Sequence, residues 1–168
     1  MPPPASTPDS TFRATGFTLI ELITIILVMA ILAAVAAPRF MQRAAFQERG
    51  FQDATRSILR YAQRVAIAER REVCVALTPA TVALTLNPLP AAGAACTAIV
   101  TAPGESGPYV IAAPPGVALA FPNPVFRFNA LGQPIDDATG ATLPDQVIAL
   151  PGSSLPAITV FGQTGYVL

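Results

Sequence analysis

Histidine and lysine are absent from this chain of 168 residues, and cysteine occurs twice. Without histidine, the commonest general base and the commonest metal ligand are missing. Ser57, Ser106, Ser153 and Ser154 therefore have no imidazole to activate them, and no catalytic constellation forms on paper. The chain reads as a non-enzyme with no catalytic residue, no cofactor, no metal and no small-molecule substrate. Two cysteines are too few for a structural zinc site but enough for one disulfide in an oxidising compartment. Charge is also sparse, at 12% of residues with a formal net of zero, which argues against electrostatic binding of nucleic acid by the whole chain. All ten basic residues are Arg, and nine of them lie at or before Arg71. Residues 1–72 carry a net +3. Residues 73–168 carry a net −3, with Arg127 facing Glu105, Asp136, Asp137 and Asp145. The adjacent carboxylates Asp136 and Asp137 follow Gly132-Gln133-Pro134 and precede Gly140, and read as a polar turn, with Ca²⁺ ligation as the alternative. Gly-Glu-Ser-Gly at 104–107 reads as a turn, since it lacks the Lys and the following helix of a phosphate loop.

What the chain has in abundance is one apolar run. Residues 17–37 contain no Gly, Pro, Asp, Lys or Arg over 21 positions, which as a helix is about 30 Å, the thickness of a hydrocarbon core. The single charge in it is Glu21, near its start. Residues 1–15, MPPPASTPDSTFRAT, are too poor in large apolar groups to order themselves. With Arg13 they read as a short leader held on the cytoplasmic side. Ala33, Ala34, Ala36 and Ala37 leave a signal-peptidase site as an alternative. Pro38 ends or bends the first half of the helix.

Residues 39–72 resume helical periodicity. Phe40, Ala44, Phe51, Ala54, Ile58, Ala62, Val65 and Ala66 form an apolar stripe, with a longer step across Gly50. Arg56, Arg60, Arg64 and Arg71 fall on other faces and read as a solvated side. Arg39 and Arg43, just past the apolar run, are candidates for contact with anionic lipid. From Val73 the period becomes two. Segments 73–78 and 81–87 flank Pro79-Ala80 and predict a hairpin. Further short strands are expected at 96–100, 109–112, 117–121, 125–129, 146–150, 157–161 and 165–168, separated by Pro and Gly. The expected class is α+β, a long amino-terminal transmembrane and amphipathic helix packed on an antiparallel β-sandwich-like domain. Its divisions are 1–16 as leader, 17–38 as membrane helix, 39–72 as the amphipathic half and 73–168 as the β domain.

Gly16-Phe17-Thr18-Leu19-Ile20-Glu21 resembles the processing site of type IV prepilins and type II secretion pseudopilins. A short leader with a cation, a Gly, an apolar first mature residue, a Glu at the fifth mature position and an uninterrupted apolar helix all agree. The resemblance implies cleavage by prepilin peptidase between Gly16 and Phe17, and N-methylation of Phe17. It also implies a filament-registry role for Glu21 and a helix bend at Pro38. Gly16 has no side chain to obstruct the peptidase. Glu21 is costly in a bilayer unless paired, and the resemblance implies that it pairs with the amino terminus of a neighbouring subunit. The alternative for Glu21 is a place at headgroup level. The helix 56–71 feeding Val73-Cys74-Val75 is similar to the GspH/FimT group. So are Phe126-Arg127-Phe128-Asn129 with Leu131-Gly132-Gln133-Pro134, and Ile158-Thr159-Val160 with Gly162-Gln163-Thr164-Gly165-Tyr166-Val167. Within that group, minor prepilins of mannose-sensitive-haemagglutinin-type pili are most similar.

The resemblance implies a minor pilin-like subunit that primes or supports assembly of a pilus or pseudopilus. Its partners are prepilin peptidase, other major and minor pilins or pseudopilins, and inner-membrane lipid. It sits in the inner membrane with a periplasmic carboxy-terminal domain, and later in the filament. The alternative is an H-type minor pseudopilin of type II secretion. A DNA-uptake tip pilin is disfavoured, because 162–166 carries no cation to neutralise phosphate. A plain single-pass periplasmic enzyme or binding domain is a third reading, disfavoured by the missing histidine. In a periplasmic domain, a Cys74–Cys96 bond would close about twenty residues and stabilise by roughly 3 kcal/mol. It would pin 88–95 to the first strand. The alternative is a pair of buried thiols packing as small apolar groups.

Overall fold

The computed structural model describes residues 17–90 and 92–168, and the side chains of 35–44 lie outside the described set. Among the described residues, one helix, α1 (Leu19–Glu69), is followed by eight short strands. The chain divides into two compact units, Met1–Gln42 and Arg43–Leu168, and α1 contributes to both. The second unit is the head.

Thr18 starts α1. Its Oγ1 accepts from the Glu21 N–H at 3.3 Å, which satisfies one of the orphan donors of the first turn and is one half of a capping box. Glu69 ends it. Arg70 adopts φ 53°, and the Arg71 N–H donates back to the Ala66 carbonyl at 3.2 Å, the bond of a Schellman-type end.

Within the head, α1 buries one stripe. Phe51, Ile58, Leu59, Ala62 and Ala66 are buried with Gln52 and Thr55. The expected stripe is recovered at Phe51, Ile58, Ala62 and Ala66, whereas Ala54 and Val65 are only half-buried, and the side chains of Phe40 and Ala44 lie outside the described set. The two buried polar residues are satisfied in different ways. Thr55 Oγ1 donates to the Phe51 carbonyl at 2.8 Å, and the Gln52 amide donates to the Pro156 carbonyl.

The strands are β1 (Val73–Leu77), β2 (Thr81–Leu86), β3 (Ala98–Ile99), β4 (Val110–Ala112), β5 (Val125–Phe128), β6 (Pro134–Asp136), β7 (Gln146–Ile148) and β8 (Ile158–Val160). The main antiparallel sheet runs β3-β2-β1-β5-β6, with β4 pairing β2 further along its length. The hairpin predicted around Pro79-Ala80 is present, with Leu77 opposite Val82 and Val73 opposite Leu86. Val73, Val75, Leu77, Val82, Leu84, Leu86, Phe126 and Phe128 join the buried face of α1 in one core. This is the alternation expected of strands with one face on a core. β7 and β8 form a separate ribbon that adds Ile148, Ile158 and Val160 to the same core.

Three expectations change. First, the second layer over the main sheet is α1, with a two-stranded ribbon beside it, rather than the opposing sheet of a sandwich. Second, the strands expected at 117–121 and 165–168 reduce to single bridges, Ala120–Ala149 and Val160–Val167, while Pro134–Asp136 forms an additional strand that leads into the polar turn expected at Asp136-Asp137, closed by the Gly140 N–H donating to the Asp136 carbonyl at 3.0 Å. Third, no helix among the described residues is long and apolar enough to cross a membrane. The apolar helical side chains that are described run from Leu19 to Ala34, about 24 Å at 1.5 Å per residue. The expected span of 17–37 depends also on residues whose side chains lie outside the described set.

Candidate functional site

The apolar half of α1 is one candidate surface. Every described side chain from Phe17 to Ala34 is exposed, including Ile20, Leu22, Ile23, Ile26, Leu27, Met29 and Leu32. Exposure of this many adjacent large apolar groups marks an interaction or membrane surface. Gly16 lies outside the described residues. Phe17 stands ahead of the first helical residue and is 76% exposed. Glu21 is exposed on the first turn of α1. Its backbone is held by Thr18, and its carbonyl accepts from Thr24 Oγ1 at 2.8 Å. A carboxylate in the first turn also complements the positive end of the helix dipole. Pro38 lies within the helix, and its side chain is outside the described set.

A second feature lies in the head. Cys74 and Cys96 are joined in a disulfide with Cα atoms 6.1 Å apart, which closes the open alternative in favour of the bond. On the adjacent strand, Arg127 is the register partner of Cys74. Alternation along β1 and β5 places both on the face opposite Val73, Val75, Phe126 and Phe128. Arg127 is the only cation in residues 73–168, and it is buried. Its Nε donates to Asp137 Oδ1 at 2.6 Å. One terminal nitrogen donates to Glu72 Oε2 at 3.0 Å and to the Ala94 carbonyl at 2.8 Å. Glu72 Oε2 also accepts from the Gly93 N–H at 3.0 Å. Burial opposes the guanidinium charge. The hydrogen bonds and fields of Asp137 and Glu72 outweigh that opposition and hold the pKa above its ordinary value. The 93–96 segment is thus fastened twice, covalently through Cys96 and electrostatically through Arg127 and Glu72.

The neighbouring carboxylates Asp136 and Asp137 have separate duties. Asp136 Oδ1 accepts from the N–H groups of Ala138 at 3.1 Å and Thr139 at 2.8 Å, and from Thr139 Oγ1 at 2.8 Å. Those bonds hold its pKa below the ordinary carboxylate value. Asp137 is committed to Arg127. Among the described residues, no cluster of metal-ligating side chains forms.

Sequence reasoning missed the Arg127 network. One signal pointed to it: a lone cation in the alternating strand Val-Phe-Arg-Phe, beside a strand whose pattern places Cys74 on the same face. The later segments likened to the GspH/FimT group are brought together under α1. Gln63 donates to the carbonyls of Thr164 at 2.9 Å and Gly132 at 3.4 Å, and Gln133 donates to the Gln163 carbonyl at 2.8 Å. Both turns need glycine there. Gly132 has φ 82° and Gly165 φ 67°, and a Cβ on Gly165 would sit 1.6 Å from the Gly132 carbonyl oxygen.

No family model and no curated protein matches this chain. Two crystal forms of the type IV minor pilin FimU of Pseudomonas aeruginosa strain PAO1 are similar to it. One matches at 12% identity with a TM-score of 0.48, over 77% of this chain and 90% of that one. The other matches at 13% identity with a TM-score of 0.46, over 71% and 90%.

Proposed function

We propose that this chain is a minor type IV pilin-like subunit, processed between Gly16 and Phe17, N-methylated on Phe17, and built into a pilus or pseudopilus to support its assembly. The observation that carries the reading is the contrast within α1. Its first described turns are exposed and almost wholly apolar, and the same helix ends in a folded α+β head. Such a helix needs a lipid phase before assembly and neighbouring subunits afterwards. The start of α1 at Leu19, two residues past the proposed cut, leaves Phe17 in a non-helical, accessible segment for a peptidase. Before assembly the chain is anchored in the inner membrane by residues 17–38, with the head in the periplasm. Its partners are prepilin peptidase, other pilins and membrane lipid. Glu21 sets register against the amino terminus of a neighbour, a use of a buried charge for specificity rather than stability. Pro38 supplies the bend between the two halves of α1.

Coexpression with a prepilin peptidase tests the reading. The expected outcome is a mass loss equal to residues 1–16 plus one methyl group on Phe17, and no loss in Gly16→Leu. An unchanged mass overturns the proposal. Glu21→Ala is expected to be cleaved normally and to enter filaments poorly. Filament content equal to that of the unsubstituted protein removes the registry role.

A further inference from the structure

We propose that a cleft on the head, between α1 and the turn at 162–167, is a carboxylate site that docks an acidic polypeptide segment of another protein. The cleft has a volume of about 300 Å³ and is lined by Arg60, Gln63, Arg64, Tyr166 and Val167. The inference stands on the head alone and goes beyond the filament reading.

Arg60 and Arg64 lie four residues apart on α1, so both guanidinium groups project from one face. Their situations differ from those of the other arginines of the head that carry ion pairs. Arg56, one turn earlier, is paired with Asp53 at 2.9 Å. Arg127 is enclosed by Glu72 and Asp137. Among the described residues Arg60 uses only its Nε, which donates to the Val167 carbonyl at 3.1 Å, and this bond orients the fork while leaving its terminal nitrogens without a partner there. Arg64 is exposed and forms no ion pair or side-chain hydrogen bond among the described residues. The rest of the cleft is braced. Gln63 is tied to Thr164 and Gly132, and the Tyr166 ring stacks on Phe161 with centroids 6.2 Å apart. The Tyr166 hydroxyl likewise has no partner among the described residues. A prearranged guanidinium, a second one a turn away and a phenol hydroxyl suit a carboxylate accepting two or three hydrogen bonds. The exposed ring of Tyr166 covers the methylenes that carry it.

Charge decides between a carboxylate side chain and a nucleic acid. A phosphate backbone needs a series of cations along its path. A single acidic side chain needs only the two arginines.

The test uses the full chain in detergent, at physiological salt. A fluorescent peptide with alternating Glu and Ala is titrated by anisotropy, beside inorganic phosphate and a single-stranded oligonucleotide of matched charge as competitors. Arg64→Gln is expected to weaken peptide binding about tenfold, the loss of one charge-assisted contact, and Tyr166→Phe to weaken it less. Arg49→Gln, an exposed arginine on the same helix away from the cleft, leaves it unchanged. Unchanged thermal melting of Arg64→Gln and Tyr166→Phe separates a docking effect from unfolding. Absence of peptide binding, equal losses in Arg49→Gln and Arg64→Gln, or stronger competition by the oligonucleotide than by unlabelled peptide overturns the proposal.

Discussion

The two described stretches of α1 both carry large apolar side chains, and those side chains meet opposite environments. From Phe17 to Ala34 every described side chain is exposed. From Phe51 to Ala66 one stripe is buried against the sheet. Leu27 and Leu59 have the same side chain and comparable helix propensity, yet Leu27 is 61% exposed and Leu59 is fully buried. The difference teaches that α1 is not one structural object. Its second half is held by tertiary packing, which supplies most helical stability in proteins. Its first half presents an apolar surface that awaits a partner phase. Charge follows the same division. In the head, the buried cation Arg127 is enclosed by two carboxylates, whereas Glu21 in the apolar half has only its local turn among the described residues.

The largest effect expected from this contrast is on charge. Arg127→Met leaves Glu72 buried without its cation, and the head is expected to lose about 4 kcal/mol. Glu21→Gln should change the stability of the head not at all, since it touches only its own turn. Urea unfolding followed by the fluorescence of Tyr61, Tyr109 and Tyr166, all in the head, reads both variants, and a small loss in Arg127→Met breaks the assignment of the network as structural. Next is packing. Leu59→Ala is expected to cost about 3 kcal/mol, and Leu27→Ala is expected to leave the head transition where it was. Equal shifts would mean that the two stretches share a core. A smaller effect of opposite sign is expected at the helix end. Arg70 holds a left-handed backbone conformation with φ 53°, which glycine adopts without penalty, so Arg70→Gly should stabilise the head by about 0.5–1 kcal/mol. The smallest effect is titration of Asp136. Its folded pKa lies below the ordinary value, so its carboxylate favours the folded state. That contribution is fully present above the unfolded pKa and is lost as pH falls through the folded value. Asp136→Ala should therefore be less stable than the unsubstituted head at neutral pH, and the gap should close in acid. A gap that persists at low pH would assign the effect to the turn's geometry rather than to its charge.

Local elements of the head were the most legible in its sequence. The β1–β2 hairpin follows from period-two alternation on either side of Pro79-Ala80, because a side chain's face in a strand is set by its parity. The α1 stripe was legible for apolar residues and not for Gln52 and Thr55. Periodicity assigns polar residues to water, and only the Pro156 and Phe51 carbonyls give these two a reason to be inside. Asp136-Asp137 was legible as a polar turn, but Pro134–Asp136 was not legible as a strand. It becomes an edge strand, where proline is tolerated, because β5 lies alongside it. The segments 117–121 and 165–168 alternate as strands do, but prolines and glycines nearby leave room for single bridges only.

The sequence by itself determined the apolar run, its single carboxylate, the change of period at Val73 and the polarity of charge between the two ends of the chain. These are properties of neighbouring residues, and covalent order is enough to state them. Tertiary structure alone decided that Cys74 and Cys96 are bonded and that Arg127 turns inward to Glu72 and Asp137. It also decided that Arg60 and Arg64 line a cleft with Tyr166 instead of dispersing into solvent. Each of those joins residues separated by ten to more than a hundred positions. Contacts of that range leave no period in the sequence, and they arise only when the sheet register and the burial of α1 bring distant backbone together.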